Sequence, residues 1–87
     1  MKLKVCGLSS RIEVETCVSL NVDYCGFILN YPKSHRYISF EKAKKLTNIN
    51  KKNTKYVGVL VKPSEDQLSQ FSKLNLELLN CVEEVNF

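Results

Sequence analysis

The sequence predicts an α/β fold built on a parallel sheet, and three observations predict it. Strand-like apolar runs alternate with helical patterns in the order β-α-β-α-β-α-β, which implies parallel strands joined by right-handed crossovers. The two clearest runs, Tyr24-Cys25-Gly26-Phe27-Ile28-Leu29 and Lys55-Tyr56-Val57-Gly58-Val59-Leu60-Val61, are almost wholly apolar, as strands buried on both faces are. Each helical stretch opens on a serine suited to cap it, at Ser10, Ser39 and Ser64.

The first strand is Lys2-Leu3-Lys4-Val5-Cys6-Gly7, ending on a thiol and broken by a glycine. A thiol at the lip of a strand is either a small core residue or a base or nucleophile at the rim of a site, and composition alone leaves both open. Ser10 with Glu13 forms a capping box, so the first helix starts there and runs to about Leu20. Val14, Cys17 and Val18 share one face at helical spacing, which makes Cys17 a buried small hydrophobe. Asn21-Val22-Asp23 is a turn. Gly26 lies inside the second strand, which implies close packing against a neighbour, and Cys25 beside it reads as core.

The loop from Asn30 to Ile38 holds a proline, two cations, two tyrosines and the only histidine, His35. Loops of this length in compact α/β units usually carry function. Ser39 then caps a helix from Phe40 to about Thr47, with Ala43 and Leu46 inward and the lysines outward. After the third strand, Ser64 and Gln67 make a second capping box for a helix over Glu65 to Leu74, with Leu68, Phe71 and Leu74 inward. Leu76 to Leu79 reads as the start of a fourth strand, and the tail from Asn80 to Phe87 carries no clear pattern.

A chain of 87 residues is a single segment, 1–87, with no second domain. At this size folding buries only about two thirds of the unfolded surface, so the stability margin is thin. A 44% hydrophobic and 25% charged composition is that of an ordinary globular protein. No apolar run reaches the ~18 residues of a membrane helix, and the amino terminus has no signal-peptide core. The expected location is the cytoplasm. There the cysteines Cys6, Cys17, Cys25 and Cys81 stay reduced, and none forms a C-x-x-C pair. With one histidine and no clustered thiols, no metal site is expected. The net charge of +4 and the lysines from Lys42 to Lys55 read as a solvated helix face and loop. No aromatic residues interleave with them to stack on bases, so nucleic acid is not the expected partner. The isolated glycines also exclude a glycine-rich dinucleotide loop.

Four blocks between residues 4 and 61 carry a family resemblance: Lys4-Val5-Cys6-Gly7-Leu8-Ser9, Gly26-Phe27-Ile28, the Tyr31 to Ser39 loop, and Val57-Gly58-Val59-Leu60-Val61. In order and spacing they resemble phosphoribosylanthranilate isomerase. The resemblance implies a (βα)8 TIM barrel with helices outside, an aldose–ketose isomerase of tryptophan biosynthesis, and an Amadori rearrangement of a phosphorylated sugar–anthranilate without cofactor or metal. It implies that Cys6 is the general base that removes the C2 proton. A thiol suits that task because its ordinary pKa, near 8.5, needs only modest lowering to match working pH. It also implies that Arg36 holds the anthranilate end of the substrate, where a guanidinium fork matches a carboxylate. His35 stands at a variable position and receives no role.

The resemblance weakens after the third helix. The family's fourth strand usually ends Gln-Leu-His-Gly, and Asn80-Cys81-Val82-Glu83 stand there instead. A closed barrel takes about 200 residues or more. The expectation is therefore an incomplete barrel of three βα units and a partial fourth strand, truncated and inactive on its own. The family's aspartate acid and its phosphate-binding loops belong to the missing part, and Asp23 and Asp66 lie at the wrong ends of their units to replace them. Open edge strands and an exposed inner face, with Val5, Phe27 and Val59, are expected to drive self-association or pairing with a complementary barrel fragment. Two further readings stand beside the isomerase: a non-catalytic gene remnant, and a small basic module that binds phosphate-bearing partners.

Overall fold

A computed structural model of the chain describes residues 2–82. Its elements are β1 (Lys4–Val5), α1 (Arg11–Ser19), β2 (Tyr24–Ile28), α2 (Phe40–Thr47), β3 (Lys55–Val61), α3 (Glu65–Phe71) and β4 (Leu78–Val82). The strands form one parallel sheet in the order β1-β2-β3-β4. The expected α/β fold and element order are those observed.

The helix starts follow the local chemistry of their caps. The Ser10 hydroxyl accepts from the Glu13 amide at 3.2 Å, and the Glu13 carboxylate accepts from the Ser10 amide at 3.1 Å. Ser64 and Gln67 repeat that exchange at α3, and the Ser39 hydroxyl accepts from the Lys42 amide at α2. Each such cap contributes about 1 kcal/mol by satisfying amides that a helix start leaves without partners.

Alternation along the strands divides the side chains between two faces. Val5, Cys25, Phe27, Tyr56 and Leu60 join Val14, Cys17 and Val18 of α1, Ala43 and Leu46 of α2, and Phe71 of α3 in one apolar core. Phe27 and Tyr56 meet edge to face there, with ring centroids 5.6 Å apart. The other face carries Gly26, Ile28, Val57 and Val59, paired in register Gly26 to Val57 and Ile28 to Val59.

This corrects the expected inner face. Val5 and Phe27 belong to the helix-facing core, and Phe27 is fully buried, at 0% exposure. Val59 does face away from the helices, yet it is only 6% exposed, because Ile28 and Asn80 flank it in register. The exposed apolar residue of that face is Leu78 on the edge strand, at 56%.

Several boundaries also differ from the sequence reading. The first strand is only Lys4–Val5, so Cys6 follows it rather than ending it, and α1 and β2 each stop one residue early, at Ser19 and Ile28. The helix α3 stops at Phe71, where the Ser72 amide turns back onto Leu68 and Gln70. Leu74 is nevertheless buried, placed by the turn that follows. The fourth strand begins at Leu78 rather than Leu76 and takes in Asn80, Cys81 and Val82, which the sequence left without a pattern. Pairing with β3 imposes this register: the Glu77 amide donates to the Tyr56 carbonyl at 2.9 Å, and ladder pairs run from Leu78 to Val82. The rest of the tail, 83–87, lies outside the described residues.

Candidate active site at the carboxyl end of the sheet

Cys6 follows the last residue of β1, at the carboxyl end of the sheet, and is exposed. Its place is set by β2. The Gly7 and Leu8 amides both donate to the Gly26 carbonyl, at 3.0 and 3.2 Å. The thiol then lies over Gly26 itself: a Cβ added there would stand 2.9 Å from the Cys6 Sγ and 3.4 Å from its Cα. The close neighbour expected for Gly26 is therefore the candidate base. A side chain at position 26 would occupy the space the thiol uses.

Gly7 is required for two reasons. Its φ is +80°, which L side chains rarely adopt, and a Cβ there would come 3.2 Å from the Cγ of Arg36. The Arg36 stem thus lies across a bare stretch of backbone immediately after the cysteine. The loop that delivers Arg36 is pinned along its length. The Arg36 amide donates to the Ser34 hydroxyl at 3.1 Å, the Ser34 amide to the Tyr31 carbonyl at 3.0 Å, and the Ile38 amide to the Ile28 carbonyl at 3.1 Å. At the start of the loop, the Asn30 amide group donates to the Val61 carbonyl at 3.1 Å and its oxygen accepts from the Val61 amide at 2.6 Å. That clamps the loop to the end of β3.

Together these elements enclose an open cleft of about 350 Å³ lined by Cys6, Gly7, Leu8, Glu13, His35, Arg36 and Val5. The two residues singled out in the sequence thus share one cleft. His35, given no role, also lines it. Glu13 lines it as well, although the spacing from Ser10 marks it only as a cap residue. The Glu13 Oε2 stands 3.6 Å from the Arg36 Nη1. Its carboxyl is held below the ordinary value, chiefly by the Ser9 amide, with smaller help from Ser10, the Ser9 hydroxyl and Arg36, against the opposing effect of burial. No local pattern could have joined Glu13 to Arg36, which arrives from the far side of β2.

The other thiols are arranged differently. Cys17 and Cys25 are buried in the core, and burial, with the Cys17 thiol close by, pushes Cys25 up to about 12. Cys81 is exposed on β4. A larger cavity of about 670 Å³ lies between α1 and α2, lined by residues such as Arg11, Lys45 and Asn48, and contains none of the predicted site residues. Among the described residues, no helix is long and apolar enough to cross a membrane.

No family model matches the chain. Individual relatives do. An N-(5'-phosphoribosyl)anthranilate isomerase of Streptococcus pneumoniae is 39% identical over 79 residues, which is 90% of this chain and 39% of that protein. A crystal structure of phosphoribosyl anthranilate isomerase in complex with reduced 1-(o-carboxyphenylamino)-1-deoxyribulose 5-phosphate superposes with a TM-score of 0.85 at 31% identity, over 98% of this chain and 44% of the other. Along nearly its whole length the chain is similar to the N-terminal part of phosphoribosylanthranilate isomerases. The isomerase of Thermotoga maritima gives the same TM-score of 0.85, at 31% identity, over 98% of this chain and 42% of its own. The chain spans about two fifths of the length of the isomerases it matches, 39% in the curated relative. Its four parallel strands with helices on one side are accordingly part of a (βα)8 barrel. The face carrying Gly26, Ile28, Val57 and Val59, opposite the helices, is the one that looks toward the barrel axis. Asn80 and Val82 stand on that face of β4, and Glu83 lies outside the described residues.

Proposed function

We propose that this chain forms the front part of a phosphoribosylanthranilate isomerase site, with Cys6 as general base and Arg36 as the grip on the substrate's carboxylate. The observation that carries this reading is the shared cleft: an exposed thiol seated over Gly26 and a guanidinium whose stem crosses Gly7, at the carboxyl end of parallel strands. Barrel enzymes assemble their sites at that end. The ligand named in the related crystal structure carries a carboxyphenyl group and a 5-phosphate, so a cation suited to a carboxylate is chemically apt.

The reaction needs two groups of the protein, an acid and a base. An acid protonates the ring oxygen so that the aminoaldose opens to an imine. A base then removes the C2 proton, and the electrons of the C–H bond form the C1–C2 double bond of an enamine as the imine nitrogen is neutralised. The enol so formed tautomerises to the ketose. Cys6 fits the second step, and no cofactor is called for. The acid and the phosphate-binding loops of the family lie in the part of the barrel that these 87 residues do not span. Without them both rate and substrate positioning fall, because positioning draws on binding at the phosphate. On this reading the 87 residues act, in the cytoplasm, only when the rest of the barrel is supplied, whether by a complementary fragment or by self-association.

The replaced end of β4 favours a second reading, in which the chain is a non-catalytic remnant. Expression in a strain lacking the isomerase separates the two. The chain, alone and beside the C-terminal part of a relative's barrel, is scored for growth without tryptophan. Growth that is lost in Cys6→Ala supports the isomerase reading. No growth in either arrangement, with both pieces present in soluble form, would leave the remnant.

A further inference from the structure

We propose that Glu13 is a positioning residue, whose carboxylate holds the Arg36 guanidinium over the Cys6 cleft. The inference deepens the reading of Arg36 given above and rests on it for its consequence in ligand binding.

The two oxygens of Glu13 do different things. Its Oε1 accepts from the Ser9 amide at 2.9 Å, the Ser10 amide at 3.1 Å and the Ser9 hydroxyl at 3.3 Å. A capping box requires only the bond to the N-cap amide. The two bonds from Ser9 are additional and fix the carboxylate more firmly than the cap demands. Its Oε2 is left facing Arg36 Nη1 at 3.6 Å.

Arg36 is held at three levels. Its amide donates to Ser34, its stem lies on Gly7, and its head meets Glu13. A guanidinium has five N–H donors in a rigid fork. Glu13 faces the Nη1 side, and among the described residues no other side chain bonds the guanidinium, which leaves donors to meet a ligand carboxylate bidentately. A long side chain left half-exposed without that contact would sample several rotamers and would have to be ordered each time a ligand bound.

The same chain contains the control that separates this role from capping. Gln67 completes the capping box of α3 with an uncharged side chain. Glu13→Gln therefore keeps the cap of α1 and removes the charge that faces Arg36. The experiment is 15N relaxation of the arginine Nε–H groups in the full chain, native and Glu13→Gln, with Arg11 as internal reference. The expected result is a clear fall in the Arg36 heteronuclear NOE in the variant, with Arg11 unchanged. An Arg36 signal that is the same in both proteins would overturn the proposal. Should Glu13→Gln not fold, the native chain and Arg36→Ala decide instead. A Glu13 side-chain 13C titration that moves upward on loss of Arg36 supports the contact, and one that does not move refutes it.

Titration with anthranilate, followed by its fluorescence, reads the consequence for binding. If Arg36→Ala abolishes binding, Glu13→Gln is expected to weaken it by about fivefold, the upper range for an exposed ion pair. Native chain that fails to bind anthranilate would count against Arg36 as a carboxylate grip, whereas the relaxation result would still decide the role of Glu13.

Discussion

The two ends of the sheet treat their polar groups differently. At the amino end, polar side chains satisfy one another and the backbone. Lys51 reaches the Asn75 carbonyl, its side-chain oxygen at 3.1 Å and the Glu77 carboxylate. Glu77 also accepts from the Tyr56 amide, the Tyr56 hydroxyl donates to the Ile49 carbonyl at 2.9 Å, and the Thr54 hydroxyl to the Val22 carbonyl at 2.8 Å. At the carboxyl end, Cys6 is exposed, Gly26 keeps space clear for its thiol, Gly7 does the same for the Arg36 stem, and Arg36 is half-exposed. One end is consumed in holding the sheet together. The other keeps reactive groups at the surface of a fold that is stabilised elsewhere, which is the division of labour that barrels show between their two faces.

The sharpest test of that comparison uses the thiols. Cys25 is fully buried and its thiol is pushed up to about 12, so at pH 8 it stays protonated and out of reach of reagent. Iodoacetamide at pH 8, followed by peptide mass spectrometry, is expected to label Cys6 and Cys81 quickly, and Cys17 and Cys25 only once the chain is unfolded. Rapid labelling of Cys25 in the folded chain would mean that the core is open.

Next in size is Gly26→Ala, which forces a methyl group against the Cys6 Sγ. Overpacking of this kind costs about 1–3 kcal/mol. Adding Cys6→Ala removes the Sγ and should recover much of the loss in a urea melt. A double variant no more stable than Gly26→Ala alone would show that the thiol is not what limits position 26.

Thr54→Val probes the amino end. It leaves the buried Val22 carbonyl without its donor and should cost about 1–3 kcal/mol. Cys6→Ala, at the exposed rim, should stay within about 0.5 kcal/mol. Equal losses from the two would erase the contrast between the ends.

The smallest effect is acid dependence. The Glu13 carboxyl lies below its ordinary value of 4.5 in the folded chain. Its share of stability is therefore fully present above about pH 4.5 and is lost as pH falls through the lowered folded-state value. Glu13→Ala should flatten the acid limb of stability measured between pH 5 and 2.5, while an unchanged slope would assign that limb to other carboxylates.

Much of the candidate site was legible because its residues are close together in sequence blocks: Cys6 beside Gly7, and Arg36 within the loop from Tyr31 to Ser39. The part that was not legible is contact between blocks. Nothing in the first block shows that Cys6 rests on Gly26, and nothing around Ser10 shows that its cap partner reaches Arg36. The same limit explains the misplaced faces. An apolar run such as Tyr24 to Leu29 has no hydrophilic phase to mark inside from outside, so Phe27 could not be assigned to the helix side until its strand was seen beside Tyr56.

By itself the sequence determined what short-range physics controls. The starts of α1, α2 and α3 follow from serine side chains that bond amides three residues away, and β2 and β3 follow from continuous apolar runs. The tertiary structure alone decided the phase of each strand, the register that moves β4 to Leu78–Val82, and the meeting of Cys6, Glu13 and Arg36 in one cleft. Those depend on parallel pairing between segments far apart in the chain, where a shift of one residue exchanges the two faces of a strand.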